Sequence, residues 1–477
     1  MKQPELNRRL SSLDAAFLYL ERKECPMHIG STSVFESRLD IEDLKKHIED
    51  RLHLIPRYQQ KVVPDPFNIA HPTWEYGENF DINRHIFEIK SKKKVSLKEL
   101  RRIAGEILTT CLDRTKPLWE LHIINGLENG QSAMVAKVHH CMADGISGVD
   151  LIKIIFDISP EPQKVERQEI EKPKIETDPT RRFFDSLLGS MQEGMNRLLE
   201  AQGGLMYMVS NLAKPEAAET IPDLASVFPA ISTPPPILPF NGECSGERRL
   251  AWSELSYAEA RAIRTAFNGT VNDVVLTVLS EAVARYTEFH GESIEGKNMR
   301  FMVPVSLRQK EQRGALGNII SVLPVEIPLD IKDLSERFRF VNKKTGVMKS
   351  AKLAEGLLTL GALFSLMPAP VQSLFGAVAE LPFPPFNMVA TNVPGPQIPL
   401  YMCGVKMTKY YPYVPIGYKL GLGCAILSYN QTLYFGLSSD AQAMPDVEKF
   451  KEILDEVFAD LKATAETLNN QKVSANA

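Results

Sequence analysis

The sequence is poor in the features that mark several large classes of protein. Six cysteines, at positions 25, 111, 141, 244, 403 and 424, are spread over 477 residues with no CxxC pair. That spacing excludes a zinc ribbon or a disulfide framework and points to a reducing, cytoplasmic compartment. Charge of one sign is not in excess either. Fifty-five Lys and Arg face 59 Asp and Glu, a net charge of −4, so no global field draws nucleic acid and no nucleic-acid partner is expected. The longest apolar run, GLLTLGALFSLMPAPV at 356–371, is broken by Pro368 and Pro370. It falls short of the ~20 residues a spanning helix needs. The stretch MKQPELNRRL is polar and carries no apolar core of a secretory signal. A serine-hydrolase GxSxG elbow is also missing, because GISG at 145–148 has the wrong spacing.

What remains is a globular chain, 44% apolar and 24% charged, long enough for two domains. Residues 159–180, SPEPQKVERQEIEKPKIETDPT, are charged, proline-rich and without apolar period, and ISTPPPILPFNGE at 231–243 makes a second break. Between them FFDSLLGSMQEGMNRLLEAQ spaces Phe, Leu and Met as one face of a helix. The organisation read from this is a first domain over 1–158, a linker with an amphipathic helix over 159–244, and a second domain over 245–477. Both domains carry the same pattern. LWELHIIN and SAMVAKVHH flank a turn with Asn129-Gly130, and an acid and a helix follow. YKLGLGCAILSYN and QTLYFGLSS repeat it, with Ser438, Ser439 and Asp440 where the first copy has histidines. The fold class is therefore α/β, two similar domains of mixed sheet with flanking helices and one active site per chain.

The chemistry concentrates in HHCMADG, residues 139–145. Successive strand residues point to opposite faces. Met134, Ala136, Val138 and His140 fall on one face; Val135, Lys137 and His139 fall on the other. His140 continues the apolar row, where desolvation favours a neutral, base-competent imidazole. The plainer reading makes both rings core histidines held by backbone carbonyls, and makes Asp144 an N-cap for the helix after Gly145. A Cys141–His140 dyad and a metal site both fail on this geometry, since neighbours on a strand cannot converge, and no metal or cofactor is called for. Asn272 and Asp273, before the apolar run VVLTVLSEAVARY, read first as a helix cap.

HHxxxDG resembles the signature of the CoA-dependent acyltransferase superfamily that includes chloramphenicol acetyltransferase and the condensation domains. LSSLDAAFLYLE (10–21), PLWE (117–120), GTVNDVVL (269–276), PVSLR (304–308), LGNIISVLPVEIP (316–328) and NVPGP (392–396) narrow the resemblance to bacterial wax ester synthase/diacylglycerol acyltransferases. That resemblance implies two chloramphenicol-acetyltransferase-like domains around a tunnel, and transfer of a fatty acyl group from acyl-CoA to a long-chain alcohol or diacylglycerol. It gives the base to His140 and a structural part to Asp144, with Arg308 as its partner. Gly145 leaves room beside the base, and Asn272 and Asp273 lie near the centre. Arg308, Lys310 and Arg313 form a basic cluster for the CoA phosphates, although exposed basic residues are commonly just solvated surface. Leu118 and Trp119 read as packing. The acceptors imply a peripheral place at the inner membrane face or on lipid inclusions, with the helix near 184–212 and the 356–371 segment as apolar contacts. Three alternatives stay open: a condensation-type or polyketide-tailoring acyltransferase, an HxxxxD acyltransferase with His139 and Asp144 as the pair, and a non-catalytic lipid-inclusion protein.

Overall fold

Alternating apolar strands set the framework of the computed structural model. It describes residues 8–65, 67–77, 80–142, 151–168, 233–306, 320–350, 369–378 and 385–475, with 178, 180, 181, 183–192, 194, 195, 199 and 202. The first part of the chain runs α1 (Ser12–Leu20), β1 (His28–Phe35), α2 (Ile41–Arg51), β2 (Gln60–Val63), β3 (Thr73–Tyr76), β4 (Ile86–Ile89), α3 (Leu97–Thr109), β5 (Trp119–Asn125) and β6 (Ser132–His139). The second part continues with β7 (Arg248–Ser256), α4 (Tyr257–Ala266), α5 (Val271–Phe289), β8 (Asn298–Ser306), β9 (Ile320–Pro328), α6 (Leu334–Ser350) and α7 (Ala369–Val378). It ends with β10 (Met388–Pro394), β11 (Tyr401–Met402), β12 (Val405–Tyr413), β13 (Leu422–Tyr429), β14 (Thr432–Asp440) and α8 (Val447–Ala475).

Among the described residues these strands form two six-stranded sheets, β11-β12-β1-β6-β5-β4 and β7-β14-β13-β10-β8-β9, and a small β2-β3 pair. Each sheet holds one of the hairpins read from the sequence. β5 and β6 pair antiparallel across a turn in which Gly130 has φ +74, a backbone conformation open to glycine at little cost. β13 and β14 do the same through Asn430 and Gln431, both at positive φ. The sheets are not confined to separate halves of the sequence. β11 and β12, within the stretch read as the second domain, join the first sheet, where β12 pairs with β1 from Gly30↔Tyr413 to Phe35↔Met407.

Close approach joins the two lobes. A Cβ on Gly436 of β14 would fall on the carbonyl oxygen of Pro412 in β12, so only glycine lets these strands touch. Beside them the rings of Trp252 in β7 and Tyr411 in β12 stack at 4.1 Å and 6°. Helices cover the outer faces. In α2, Leu44, His47, Ile48 and Arg51 are buried at helical spacing while Asp40 caps the first turn by accepting from the Glu42 and Asp43 N–H groups. α5 is buried nearly all round, as the central helix of the second lobe. Its start is a capping box: Thr270 accepts from the Asp273 N–H, and the Asp273 carboxylate accepts from the Thr270 N–H.

Candidate active site

The strand alternation carries through to the site. Met134, Ala136, Val138 and His140 all line a cavity of about 240 Å³ between the lobes, together with Ile29, Ser31 and Ser33 of β1. The opposite wall comes from the second sheet, with Pro304 of β8, Thr391 to Pro394 of β10 and Ala425 to Leu427 of β13, while Tyr410 and Pro412 of β12, paired with Ser33 and Ser31, extend the first wall. Leu151, Ile152, Ile155 and Phe156 form another side. Apart from His140, Asn392 and a few hydroxyls, this lining is apolar, which suits a hydrocarbon chain.

Both histidines are fixed from behind by backbone bonds. The His139 N–H donates to the Leu118 carbonyl at 2.9 Å and the His140 N–H to the Met27 carbonyl at 2.8 Å. His139 is fully buried. Its Nδ1 accepts from the Cys141 N–H at 3.2 Å, so the ring hydrogen belongs on Nε2, which lies 3.3 Å from Glu21 Oε1. His139 does not line the cavity. His140 turns the other way, and its ring stacks on Phe17 at 3.9 Å between centroids and 7° between planes. Such a stack is worth ~0.5–1.5 kcal/mol beyond area and shields one face of the imidazole.

Helix α1 and the residue that caps its C-terminal end supply both partners. Phe17 and Glu21 are one turn apart and so face the same side; one meets His140, the other His139. Burial pushes the Glu21 carboxyl up, but His139 and Arg114 outweigh it and hold it down at about 2. Arg114 bonds both Glu21 Oε2, at 2.8 Å, and the Leu18 carbonyl at 2.9 Å. Glu21 Oε1 also accepts from the Met27 N–H at 3.2 Å. The residue that anchors His140 by its carbonyl is thus itself anchored by Glu21. Next to it, His28 donates from Nε2 to the Leu108 carbonyl at 2.7 Å, and burial lowers its pKa to about 3, so it is a neutral strut.

Phe17, Glu21 and Arg114 are absent from the residues singled out in the sequence. The i,i+4 spacing within LSSLDAAFLYLE is the signal that links the first two; nothing local links them to histidines more than a hundred residues away. Asp144, Gly145, Arg308, Lys310 and Arg313 lie outside the described residues. Asn272 and Asp273 do not line the cavity. The Asp273 carboxylate also accepts from Thr345 Oγ1 at 2.7 Å and Asn342 Nδ2 at 3.0 Å, which ties α5 to α6. Leu118 and Trp119 are packing, as read: Trp119 donates to the Tyr58 carbonyl and stacks on His85. Burial pushes the Cys141 thiol far up, away from the nucleophilic thiolate. Among the described residues no three His, Cys, Asp or Glu side chains converge as metal ligands would.

Comparison with known proteins agrees with this architecture. Residues 10–275 match the wax ester synthase/diacylglycerol acyltransferase catalytic domain, and residues 316–462 the C-terminal domain of the same family. A probable diacylglycerol O-acyltransferase of Mycobacterium tuberculosis is 28% identical over 458 residues, covering 95% of this chain and 96% of the relative. A second, putative one from the same species is 27% identical over 470 residues, covering 94% and 90%. Among solved structures, the wax ester synthase/diacylglycerol acyltransferase of Marinobacter aquaeolei VT8 shares the fold with a TM-score of 0.64 at 23% identity, over 96% of this chain and 100% of that one. The first condensation domain of the calcium-dependent antibiotic synthetase has a TM-score of 0.58 at 14% identity, over 97% and 99%. The chain is an O-acyltransferase and belongs to the wax ester synthase/diacylglycerol acyltransferase family.

Proposed function

We propose that the protein transfers a fatty acyl group from acyl-CoA to the hydroxyl of a long-chain alcohol or a diacylglycerol, with His140 as general base. One observation carries this reading: the His140 ring ends the apolar row of β6, faces the cavity and is stacked on Phe17. His140 takes the hydroxyl proton as the oxygen attacks the thioester carbonyl. The tetrahedral intermediate then collapses, the C–S bond breaks, and the proton on the imidazole passes to the departing thiolate, giving ester and free CoA. General-base help of this kind is worth ~10² to 10⁴ in rate. His139, fully buried and turned toward Glu21, suits the role of strut better than that of base.

In this reading Asp144, with Arg308 as partner, supports the loop that follows the base, and Gly145 leaves space for substrate. Asn272 and Asp273 brace the second lobe behind the centre. Arg308, Lys310 and Arg313 meet the CoA phosphates, and the chemistry needs no cofactor. Thiol release from palmitoyl-CoA on adding hexadecanol or dioleoylglycerol tests the whole. His140→Ala is expected to lose ~10² to 10⁴ of the rate with its melting temperature preserved. Equal turnover by His140→Ala, or loss only in His139→Ala, would transfer the base elsewhere. No release with any acceptor would leave a binding protein.

We also place the protein peripherally, at the inner membrane face or on lipid inclusions. No helix of the described residues is long and apolar enough to cross a membrane. Phe184, Leu188, Met191, Met195 and Leu199 recur at helical spacing, each 55–65% exposed. Phe183 in this helix packs edge-on against Phe67, and Val371 and Leu374 of α7 add further exposed apolar surface. Flotation with diacylglycerol-containing vesicles is expected to carry the protein upward; Leu188→Glu with Met191→Glu should leave it at the bottom.

A further inference from the structure

We propose that the far end of the cavity, at Ser33, recognises a second hydroxyl carried along the substrate's hydrocarbon chain, distant from the reacting group. The proposal rests on the reading above, in which the cavity that starts at His140 holds a long chain. β1 aims Ile29, Ser31 and Ser33 into the cavity, and Ser33 stands directly opposite Met134 in the β1–β6 register. Met134 precedes His140 by six residues. At ~3.3 Å per strand residue, Ser33 is therefore ~20 Å from the base, a distance that suits the tail of a long chain.

The hydroxyls in this wall differ in their circumstances. Ser31 is bonded to the Tyr410 side chain. Ser33 is fully buried, and its Oγ has no hydrogen-bond partner among the described residues. A buried hydroxyl without a partner is costly, and alanine would fill the same place without that cost. Ser33 thus holds an unused donor and acceptor at the end of a largely apolar passage. Met134, fully buried across from it, is unbranched and adaptable, so its side chain can swing aside as a chain end arrives. A methyl terminus then gains nothing from Ser33, whereas a hydroxyl terminus exchanges hydrogen bonds with it. Sites that hydrogen-bond a substrate hydroxyl discriminate far better than sites that only sense an extra methylene.

A long hydroxylated chain can enter as acyl donor or as acceptor, and two arms separate these sources. One compares ω-hydroxypalmitoyl-CoA with palmitoyl-CoA, both with hexadecanol. The other compares hexadecane-α,ω-diol with hexadecanol, both with palmitoyl-CoA. The readout is the ratio of kcat/KM for the hydroxylated chain to that for the plain chain. This ratio is expected to fall roughly fivefold in Ser33→Ala, relative to the unmodified protein, in the arm whose chain occupies the cavity. Equilibrium binding of ω-hydroxypalmitate and palmitate reads the same preference without turnover. A ratio unchanged by Ser33→Ala in both arms and in binding overturns the proposal. Absence of thiol release with a binding preference that falls in Ser33→Ala overturns the acyl-transfer reading and keeps the assignment of Ser33.

Discussion

The ends of β6 and β14 occupy matching places in the two lobes and have opposite fates. Each is the second strand of an antiparallel hairpin inside a six-stranded sheet. β6 runs into His139 and His140, and the second ring is delivered to a cavity. β14 runs into Ser438, Ser439 and Asp440, all fully buried. Asp440 faces Arg248 at 3.1 Å in a pair with no exposed side-chain surface. Burial pushes its carboxyl up, but N–H donors from Ser245, Gly246, Gln442 and Ala443 more than reverse this and hold it below the ordinary carboxylate value. Arg248 uses its other nitrogen to donate to the carbonyls of Glu24 and Ile416. The same local architecture thus presents a ring to a cavity in one lobe and locks a charge away in the other. What differs is whether a cavity wall or a counter-ion meets the strand end.

Three substitutions break or sharpen this contrast. Asp440→Asn has the largest expected effect, because it leaves Arg248 buried without its counter-charge. Breaking such a pair costs about 3–5 kcal/mol, to be read from urea unfolding; a loss below about 1 kcal/mol would mean the pin is ornamental. Glu21→Gln comes next. A carboxyl held at about 2 against an ordinary 4.5 stabilises the fold above pH 4.5, and that share disappears as the pH falls toward 2. The stability gap between the unmodified protein and Glu21→Gln, at most about 3 kcal/mol at neutral pH, should therefore close over this window. A gap that stays constant with pH would mean that shape, not charge, is what Glu21 supplies. The smallest effect belongs to Phe17→Leu, which keeps an apolar neighbour but removes the stacked ring. A fall in kcat of roughly three- to tenfold, with little change in melting temperature, matches the ~0.5–1.5 kcal/mol of a ring pair.

Much of the first contrast can be read from residues alone. Alternation along SAMVAKVHH separates His140 from His139, because a two-residue period leaves no freedom once one face is apolar. The capping role of Asp273 follows from GTVND in the same way, as does the hairpin from Asn129-Gly130. The supports of the site are less legible. Phe17, Glu21 and Arg114 reach the histidines from other elements, and no local period encodes such a meeting. The Arg248–Asp440 pair is separated by 192 positions. β12 is the clearest case: VKMTKYYPY reads as a strand, but the sheet it joins depends on partners that periodicity does not name.

That crossing strand bears on how the protein is made and how it opens. β1 has β6 on one side and β12 on the other, so the ladder beside His140 is incomplete until residue 413 has been synthesised. A product stopped near residue 245 would leave the β1 edge bare and prone to pair with other chains. The interleaved strand also forbids the halves from parting like a clam, since that would shear the β1–β12 hydrogen bonds.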